Sequence, residues 1–209
     1  MVNSESFDFY IPKHRLETLV DGIFAIAMTL LVLGLAVPHL SGQLTNAIIQ
    51  DSYYSLYPSF FAFVLSFILL ATFWNTHHRI FNQIKLINNT LLWITLIWLL
   101  FIVIVPFSAS SLGEYGSYIF PNVIFNLNML AIALLLYINL NYAIRKNLMQ
   151  EKVNKTLINY SKRRNEAFIL IALLAVILSY IIVSSSTLVY ILLLPIYAAL
   201  RKLPTTIHD

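Results

Sequence analysis

Six apolar stretches, joined by short polar segments, constrain this chain more than any other feature. They run over about residues 16–37, 54–76, 91–109, 119–144, 167–183 and 188–200. A helix needs about 20 residues to cross the hydrocarbon core of a bilayer, and the first four stretches reach that length. Only residues 184–187 separate the two shorter stretches at the end. This spacing predicts a tight helical hairpin there, with one long kinked span as the alternative.

The composition supports a membrane location. The chain is 59% apolar and 11% charged, whereas a soluble domain is about 45–50% apolar and about 25% charged. So few charged residues cannot cover a soluble globule of this length, and the chain is too hydrophobic to be disordered. It contains no cysteine, which excludes disulfides, iron–sulfur clusters and thiol nucleophiles. We therefore expect an all-α integral membrane protein, with residues 1–209 forming a single six-helix transmembrane domain.

The basic residues occupy alternate connections between the stretches. They are Lys13, Arg15, Arg79, Lys85, Arg145, Lys146, Lys152, Lys155, Lys162, Arg163, Arg164, Arg201 and Lys202. The positive-inside rule then predicts six transmembrane helices with both termini cytoplasmic, and a basic cytoplasmic loop over about residues 145–165. The net charge of +4 therefore indicates orientation and not a nucleic-acid partner. Contact of this loop with anionic lipid is the alternative role for its charges.

Ionisable groups inside a membrane are costly and persist mainly where they have partners. Asp21 follows Arg15 by six residues, about 9 Å along a helix, so it lies within the cytoplasmic half of the first span. His77 ends the second stretch at a matching depth, and Trp74 lies one turn before it. Because Trp and His can donate hydrogen bonds to a carboxylate, Arg15, Asp21, Trp74 and His77 are predicted to form a helix-packing network. A proton relay or cation site is the alternative.

Other chemical motifs give weak signals. The adjacent His77 and His78 suggest a metal or haem site, but neighbouring helical residues point about 100° apart and cannot easily share one ion. Residues 114–116, Glu-Tyr-Gly, match only the end of a carbonyl filter loop, so a surface turn is expected. The apolar stretches offer no acid–base or nucleophile pair at depth. We expect no enzyme activity, no catalytic residue and no metal site.

A resemblance to a known family begins in the first apolar stretch. Arg15, Asp21 and residues 22–33 resemble the first helix of the transmembrane protein 175 family of potassium channels, which opens with an Arg-x-x-x-Phe-Ser-Asp signature. Leu19 and Val20 stand where that signature has Phe and Ser.

Further positions match in chain order. Residues 73–81, the pair Asn88 and Asn89, and the Pro106–Phe107 dipeptide are similar to the family's second and third helices. The resemblance covers about residues 13–110.

The resemblance implies a potassium-selective channel with modest selectivity, formed by a homotetramer and located in the cell membrane as a multi-pass protein. The first helix, about residues 15–37, would line the pore with rings of aliphatic side chains that act as filter and gate. Carried onto this sequence, the rings fall on Ile26, Leu30 and Leu33. The implied partners are further copies of the chain and membrane lipid, with no nucleic acid. No cofactor is implied beyond the permeating potassium ion.

The spacing of these residues is compatible with a pore-lining face. At about 100° per residue, Leu30 lies about 40° and Leu33 about −20° from Ile26 around a helix. Val37 falls near the same line, and Asp21 lies about 140° away, on the packing side. An aliphatic stripe occurs in any membrane helix, so the pore assignment depends on the resemblance.

Two further residues lie beside the proposed constriction. Gly22 extends the stripe toward the cytoplasm, and Thr29 offers a hydroxyl either to the pore or to its own helix backbone. A narrow apolar ring gates by dewetting, because it makes a water column unfavourable. The alternative function is a small secondary transporter, proton-coupled through Asp21 and His77.

Overall fold

The computed structural model describes residues 12–37, 40, 42 and 44–202, with the backbone alone at 201 and 202. Over these residues the chain forms α1 (Lys13–Leu30), α2 (Asn46–Tyr54), α3 (Tyr57–Phe81), α4 (Asn89–Tyr115), α5 (Ile119–Arg145), α6 (Lys155–Ile181) and α7 (Leu193–Lys202). Two 3₁₀ segments, Leu31–Gly34 and Val183–Leu192, follow α1 and precede α7. Both chain ends, and the side chains of Arg201 and Lys202 on which part of the orientation prediction depends, lie outside the described residues.

Within the described part, six helical segments are long and apolar enough to cross a membrane. They comprise α1 with its 3₁₀ turn, α2 with α3, then α4, α5 and α6, and finally the second 3₁₀ segment with α7. The predicted class, an all-α membrane protein with six spans, is confirmed. The structure contains no membrane, so the orientation of the termini stays a prediction.

The centre of the bundle is α4, which packs against α1, α3 and α5. Trp98 of α4 is fully buried and its ring centroid lies 5.4 Å from that of Phe24 on α1. The indole Nε1 of Trp98 donates a 3.1 Å hydrogen bond to the backbone oxygen of Ile132 on α5. One side chain thus fixes α1 and α5 on two sides of α4.

Asparagine side chains cap the N-termini of two of the long helices. The Oδ1 of Asn88 accepts from the backbone N–H of Leu91 at 3.0 Å, and the Oδ1 of Asn154 accepts from that of Leu157 at 3.0 Å. Each bond satisfies one of the N–H groups that the first turn of a helix leaves without a partner. The cap at Asn154 starts α6 about three turns before residue 167, where the fifth apolar stretch begins.

This early start corrects the predicted cytoplasmic loop over residues 145–165. The connection spans only residues 146–154, and the later basic residues belong to α6. The added turns are helical because one face of them is apolar or hydrogen-bonded inside the bundle. Ile158 and Ser161 are buried there, and Asn165 donates 2.9 Å to the backbone oxygen of Ala133 on α5. Hydropathy alone does not detect such a helix, since its outer face is charged.

The α3–α4 and α5–α6 connections lie side by side at one end of the bundle. The backbone N–H of Lys85 donates to the oxygen of Leu148 at 2.8 Å, and that of Gln150 donates to the oxygen of Gln83 at 2.8 Å. Lys85 also pairs with Glu151 through a 2.9 Å Nζ–Oε1 contact. Two of the predicted basic connections therefore share one end of the fold, as their charge pattern requires.

Close backbone contacts and polar contacts stabilise the opposite end. A Cβ atom on Gly113 of α4 would lie 2.6 Å from the Cα of Ser59 on α3, so only glycine allows this approach. Asn122 of α5 donates 2.7 Å to the backbone oxygen of Gly116 and accepts 3.1 Å from the hydroxyl of Ser186. These contacts connect α3, α4, α5 and the second 3₁₀ segment.

The fifth and sixth apolar stretches form separate spans, as the predicted hairpin requires, and not one kinked helix. α6 ends at Ile181, and Ile182 leaves helical geometry with φ −131° and ψ 69°. The chain returns as a 3₁₀ segment of 10 residues, although such segments rarely exceed about 4 residues. Pro195 does not interrupt the span, and it lies in the first turn of α7, next to the change from 3₁₀ to α geometry at Leu193.

Candidate functional site

α1 has one face inside the bundle and one face outside it. The buried face consists of Leu16, Val20, Phe24 and Ala27, followed by Leu31 in the 3₁₀ turn. The outer face carries the predicted ring residues. Ile26 is 60% exposed, Leu30 41% and Leu33 72% in the single chain. We call these three residues the aliphatic face of α1. Nothing within the described chain covers this face, so it is available to lipid or to further copies.

The 3₁₀ turn changes the geometry that a regular α-helix predicts for this face. Leu30 has φ −67° and ψ −22° at the start of the turn Leu31–Gly34. Side chains three residues apart eclipse one another in 3₁₀ geometry, so Leu33 lies above Leu30 along the axis instead of about 60° around it. Val37 follows the turn in non-helical chain, so its predicted angular position is wrong, although its side chain is exposed.

Gly34 sets how closely the end of the turn approaches α4. A Cβ atom there would lie 3.3 Å from the Cβ of Ser110. Gly22, at the other end of the aliphatic face, has no heavy atom within 4 Å of a Cβ position. The outer face is therefore open at Gly22, whereas at Gly34 the 3₁₀ turn comes close to Ser110 of α4.

The hydroxyl of Thr29 is directed to its own helix. Its Oγ1 donates to the backbone oxygens of Ala25 at 2.9 Å and Ile26 at 2.8 Å. This is one of the two roles left open for Thr29, and it uses the only hydroxyl proton. The oxygen lone pairs remain available on an exposed side chain.

Asp21 and Trp74 form a direct contact between α1 and α3. The indole Nε1 of Trp74 donates to the Oδ1 of Asp21 at 2.8 Å, across 53 positions in the sequence. Asp21 is exposed and Trp74 is 40% exposed. Arg15 is also exposed, and no described carboxylate lies within ion-pair distance of it, whereas Lys13 pairs with Glu17 at 3.4 Å. The structure therefore brings together two of the four predicted network residues.

His77 does not belong to this network. Its ring is 2% exposed and lies between the rings of Phe81, at 3.9 Å between centroids, and Trp98, at 4.7 Å and nearly parallel. No hydrogen bond joins His77 to Asp21 among the described residues, and the Nε2 of His77 has no partner there. The physical reason is angular: three residues after Trp74, the His77 side chain points about 60° away on the helix, toward α4.

Buried asparagines on α5 are a polar feature that the sequence analysis did not single out. Asn126 donates to the hydroxyl of Ser179 on α6 at 2.9 Å, and Asn139 donates to that of Thr95 on α4 at 2.8 Å. Both asparagines are fully buried. Hydrogen bonds between helices are a common means of association in membranes. The sequence does contain an indication of these contacts, because α5 carries five asparagines in an otherwise apolar span.

Aromatic side chains form cation–π contacts with a basic side chain of α6. The guanidinium of Arg164 lies 4.2 Å from the ring centroid of Tyr197 and 5.6 Å from that of Tyr160. Arg79 approaches the same Tyr160 ring at 5.9 Å. Cation–π contacts of this kind let a basic side chain lie against the bundle.

The described residues contain no group of three or more His, Asp or Glu side chains that could hold a metal ion. His77 and His78 do not face one site, since His77 is buried and His78 is exposed. The polar groups that the structure brings together here are hydrogen-bonding pairs between helices, and one of them, Asp21 with Trp74, holds α1.

Comparisons with known proteins agree with this architecture. Residues 15–106 match the family described as "Endosomal/lysosomal potassium channel TMEM175". A potassium channel of Chamaesiphon minutus (strain ATCC 27169 / PCC 6605) is 38% identical over 101 residues, covering 48% of this chain and 49% of the relative. A potassium channel of Chryseobacterium sp. (strain P1-3) is 35% identical over 101 residues, with 48% and 49% covered. The chain thus spans about half the length of the curated relatives it matches.

The similarity in structure extends further along the chain. The crystal structure of a lysosomal potassium-selective channel TMEM175 homolog from Chamaesiphon minutus superposes with a TM-score of 0.75 at 29% identity. That match covers 90% of this chain and 97% of the other. The relatives are ion channels and not enzymes, and no cofactor is indicated beyond a permeating ion. By sequence over residues 15–106, and by fold over 90% of its length, this chain is similar to members of the TMEM175 family.

Proposed function

We propose that this chain forms a potassium-permeable channel in which α1 lines a pore at the axis of a homotetramer. The observation that carries the proposal is the aliphatic face of α1. Ile26, Leu30 and Leu33 are exposed on a helix whose opposite face is packed into the bundle. Two relatives that match over 101 residues are named potassium channels. The aliphatic face of α1 lies within residues 15–106, the range that matches the family model.

The constriction would consist of rings of the aliphatic side chains Ile26, Leu30 and Leu33, with the four copies of Leu30 and of Leu33 stacked along the axis. Because the 3₁₀ turn aligns these two residues, their rings would form one continuous apolar column instead of two rotated layers. A narrow apolar column disfavours water and therefore acts as a gate by dewetting. A small displacement of α1 away from the axis would widen the column and let it fill with water.

Such a pore would select weakly for potassium. Aliphatic side chains offer no oxygen to replace the hydration shell of an ion, in contrast to the carbonyl oxygens of a filter loop. An ion must shed or deform part of its water to pass, and potassium dehydrates more readily than sodium. We therefore expect a modest preference for potassium over sodium. Thr29 and Gly22 lie beside the constriction and would shape its approaches.

The proposed location is the cell membrane, with both termini cytoplasmic. The pairing of Lys85 with Glu151 supports this orientation, because it joins two basic connections at one end of the bundle. Under the positive-inside rule this end faces the cytoplasm. Asp21 and Trp74 would then clamp α1 to α3 in the cytoplasmic half of the membrane.

The alternative function, a secondary transporter coupled to protons through Asp21 and His77, receives no comparable support. Asp21 is bonded to Trp74, and His77 lies inside an aromatic stack. The two titratable groups therefore form no relay of hydrogen bonds within the described chain.

Recording from purified protein in planar bilayers tests the proposal. With equal pH on both sides and a potassium gradient, we expect unitary currents that reverse near the potassium equilibrium potential. Leu30→Ser should raise the unitary conductance and lower the potassium-to-sodium permeability ratio. Leu170→Ser is the matched control, because Leu170 is 68% exposed on α6, far along the chain from the aliphatic face of α1. This control should leave both quantities unchanged.

Two results would contradict the proposal. Saturable, proton-driven uptake without unitary currents would favour the transporter. If Leu30→Ser behaved as the parent while currents persisted, the constriction would lie elsewhere than on the aliphatic face of α1. A mass measurement in detergent tests the homotetramer independently, since it should give four chains and not one or two.

A further inference from the structure

An open groove lies between α5 and α6 at the end of the bundle that carries the basic connections. It has a volume of about 460 Å³. Its lining is Tyr137, Ile138, Asn141, Tyr142 and Arg145 from α5 and Lys162 from α6. We call it the α5–α6 groove. The helices that form it pack against each other, whereas α1 packs on α3 and α4, so the groove lies apart from the aliphatic face of α1.

The polar end of the groove is positively charged. Arg145 is exposed and Lys162 is half-buried, with its Nζ 5.7 Å from the ring centroid of Tyr137. Neither cation forms an ion pair within the described residues, whose two ion pairs are Lys13–Glu17 and Lys85–Glu151. The neighbouring acid, Glu166, accepts a 3.3 Å hydrogen bond from the Tyr137 hydroxyl. Two unpaired cations therefore border one groove.

The groove becomes apolar toward the middle of the bundle. Ile138 lies in its wall and is 48% exposed, and Leu134, one turn deeper on the same face of α5, is 40% exposed. On α6, Leu173 is likewise exposed, three turns beyond Lys162. From Arg145 to Leu134 the helix rises by about 16 Å. The surface thus changes from cationic to apolar along one continuous path.

The charged end lies where the helices meet the membrane boundary. Asn88 caps the start of α4 and its Nδ2 donates 2.9 Å to the hydroxyl of Tyr142, which lines the groove. The start of a transmembrane helix marks the level of the lipid headgroups, where tyrosines are enriched. In a bilayer Arg145 and Lys162 would therefore lie at headgroup depth, with the apolar wall facing acyl chains.

We propose that the α5–α6 groove binds one anionic phospholipid. Its phosphate would lie between Arg145 and Lys162, and an acyl chain would follow Ile138 and Leu134. Charge complementarity favours an anionic headgroup over a zwitterionic one. The apolar wall favours a lipid over free inorganic phosphate, because an acyl chain can contact that wall and inorganic phosphate cannot. The proposal does not rest on channel activity and would hold if the pore assignment were wrong.

Lipid retention measured by native mass spectrometry tests the proposal. The purified full chain would be exchanged into mixed micelles containing phosphatidylglycerol and phosphatidylcholine at equal concentration, and the bound lipids counted. The parent should retain phosphatidylglycerol selectively. A basic side chain near an anionic lipid surface contributes about 1 kcal/mol, or about five-fold. Arg145→Gln with Lys162→Gln should therefore reduce this selectivity about ten-fold or more.

Matched variants distinguish a specific binding site from a nonspecific effect of net charge. Lys152→Gln with Arg163→Gln removes the same charge from exposed positions that do not line the groove, and it should retain the parental selectivity. Arg145→Lys with Lys162→Arg keeps the charge and should retain it too. Ile138→Trp fills the apolar wall without altering charge, and it should lower retention of phosphatidylglycerol while leaving the binding of inorganic phosphate, measured separately, unchanged.

Several outcomes would overturn the proposal. Equal losses in both charge-removing variants would show that only the net charge attracts lipid. Unchanged retention in Arg145→Gln with Lys162→Gln, in protein that elutes as the parent does, would show that the groove holds no anionic lipid. Displacement of the lipid by inorganic phosphate alone, with Ile138→Trp binding as the parent, would identify a soluble-anion site instead.

Discussion

The indole N–H of Trp74 on α3 donates its hydrogen bond to the carboxylate of Asp21 on α1 at 2.8 Å. The contact joins the helix that carries the aliphatic face to the helix behind it. Among the described residues it is the one side-chain hydrogen bond that joins α1 to another helix, since the other polar contacts of its side chains stay within α1. The position of α1 in the bundle therefore depends on apolar packing supplemented by this bond.

Loss of the Trp74 donor should loosen α1 more than it changes ion preference. Trp74→Phe keeps most of the ring and removes the N–H, which should cost about 1 kcal/mol of stability, since the bond is charge-assisted but partly exposed. Trp93→Phe is the matched control, because Trp93 is 57% exposed on α4. Thermal unfolding in detergent should show a lower midpoint for Trp74→Phe alone.

The same reasoning applies to the acceptor. Asp21→Ala should lower the yield of the assembled oligomer, and Asp21→Asn should restore part of it because the amide oxygen still accepts. Normal assembly of Asp21→Ala combined with an altered permeability ratio would assign Asp21 to ion passage and not to packing.

His77 should act as a stacking ring and not as a proton carrier. His77→Phe keeps an aromatic ring between Phe81 and Trp98 and removes a buried nitrogen, Nε2, that has no described partner. We expect a melting temperature equal to or above that of the parent and unchanged currents, because no unsatisfied polar atom remains. His77→Ala should instead cost about 3 kcal/mol or more through the cavity it leaves. A stable His77→Phe variant without flux would favour the relay.

Gly113 should tolerate no side chain. In Gly113→Ala the new methyl would meet the Cα of Ser59 at 2.6 Å, so α3 and α4 must separate, at a cost of about 1–3 kcal/mol. Gly22→Ala is the control, since open space surrounds that position and alanine favours a helix interior over glycine by about 1 kcal/mol. Unfolding midpoints should fall for the first variant and stay level or rise for the second. Equal midpoints would mean that α3 shifts without cost.

The buried hydrogen bond from Asn126 to Ser179 should couple α5 to α6. A double-mutant cycle of Asn126→Ala and Ser179→Ala should give a coupling energy of about 0.6 kcal/mol, the average for such bonds in membranes. Asn159→Ala, at an exposed position of α6, should leave the unfolding free energy unchanged. Strict additivity of the two buried substitutions would show that their hydrogen bond contributes nothing measurable.

The sequence predicts the apolar spans well and the polar surroundings less well. Hydropathy finds the six spans because the membrane imposes their length and composition. It places the start of the fifth span at residue 167, whereas α6 starts at Lys155, because the charged outer face of the first turns lowers the average. The cap at Asn154, which bonds within α6, and the buried Asn165 identify that extension, but the partner of Asn165 lies on α5.

At the candidate site, too, the sequence predicts what depends on spacing along one helix and does not predict what depends on packing between helices. A helical period places Ile26 and Leu30 on one face, and both are exposed, since this depends only on spacing along α1. The separation of Asp21 from His77 depends on how α1, α3 and α4 pack, which one sequence does not reveal. The 3₁₀ turn has no signal in the residue types, because leucine and valine suit either helix.

The length of this end of α1 depends on the 3₁₀ geometry of that turn. A 3₁₀ helix rises about 2.0 Å per residue against about 1.5 Å for an α-helix. Rewinding Leu31–Gly34 into α geometry would shorten this end by about 2 Å and swing Leu33 about 60° around the axis relative to Leu30. Such a change exchanges one set of backbone hydrogen bonds for another and leaves the Asp21 end of α1 in place. The side chains of Leu30 and Leu33 would then change from eclipsed to offset positions around the helix axis.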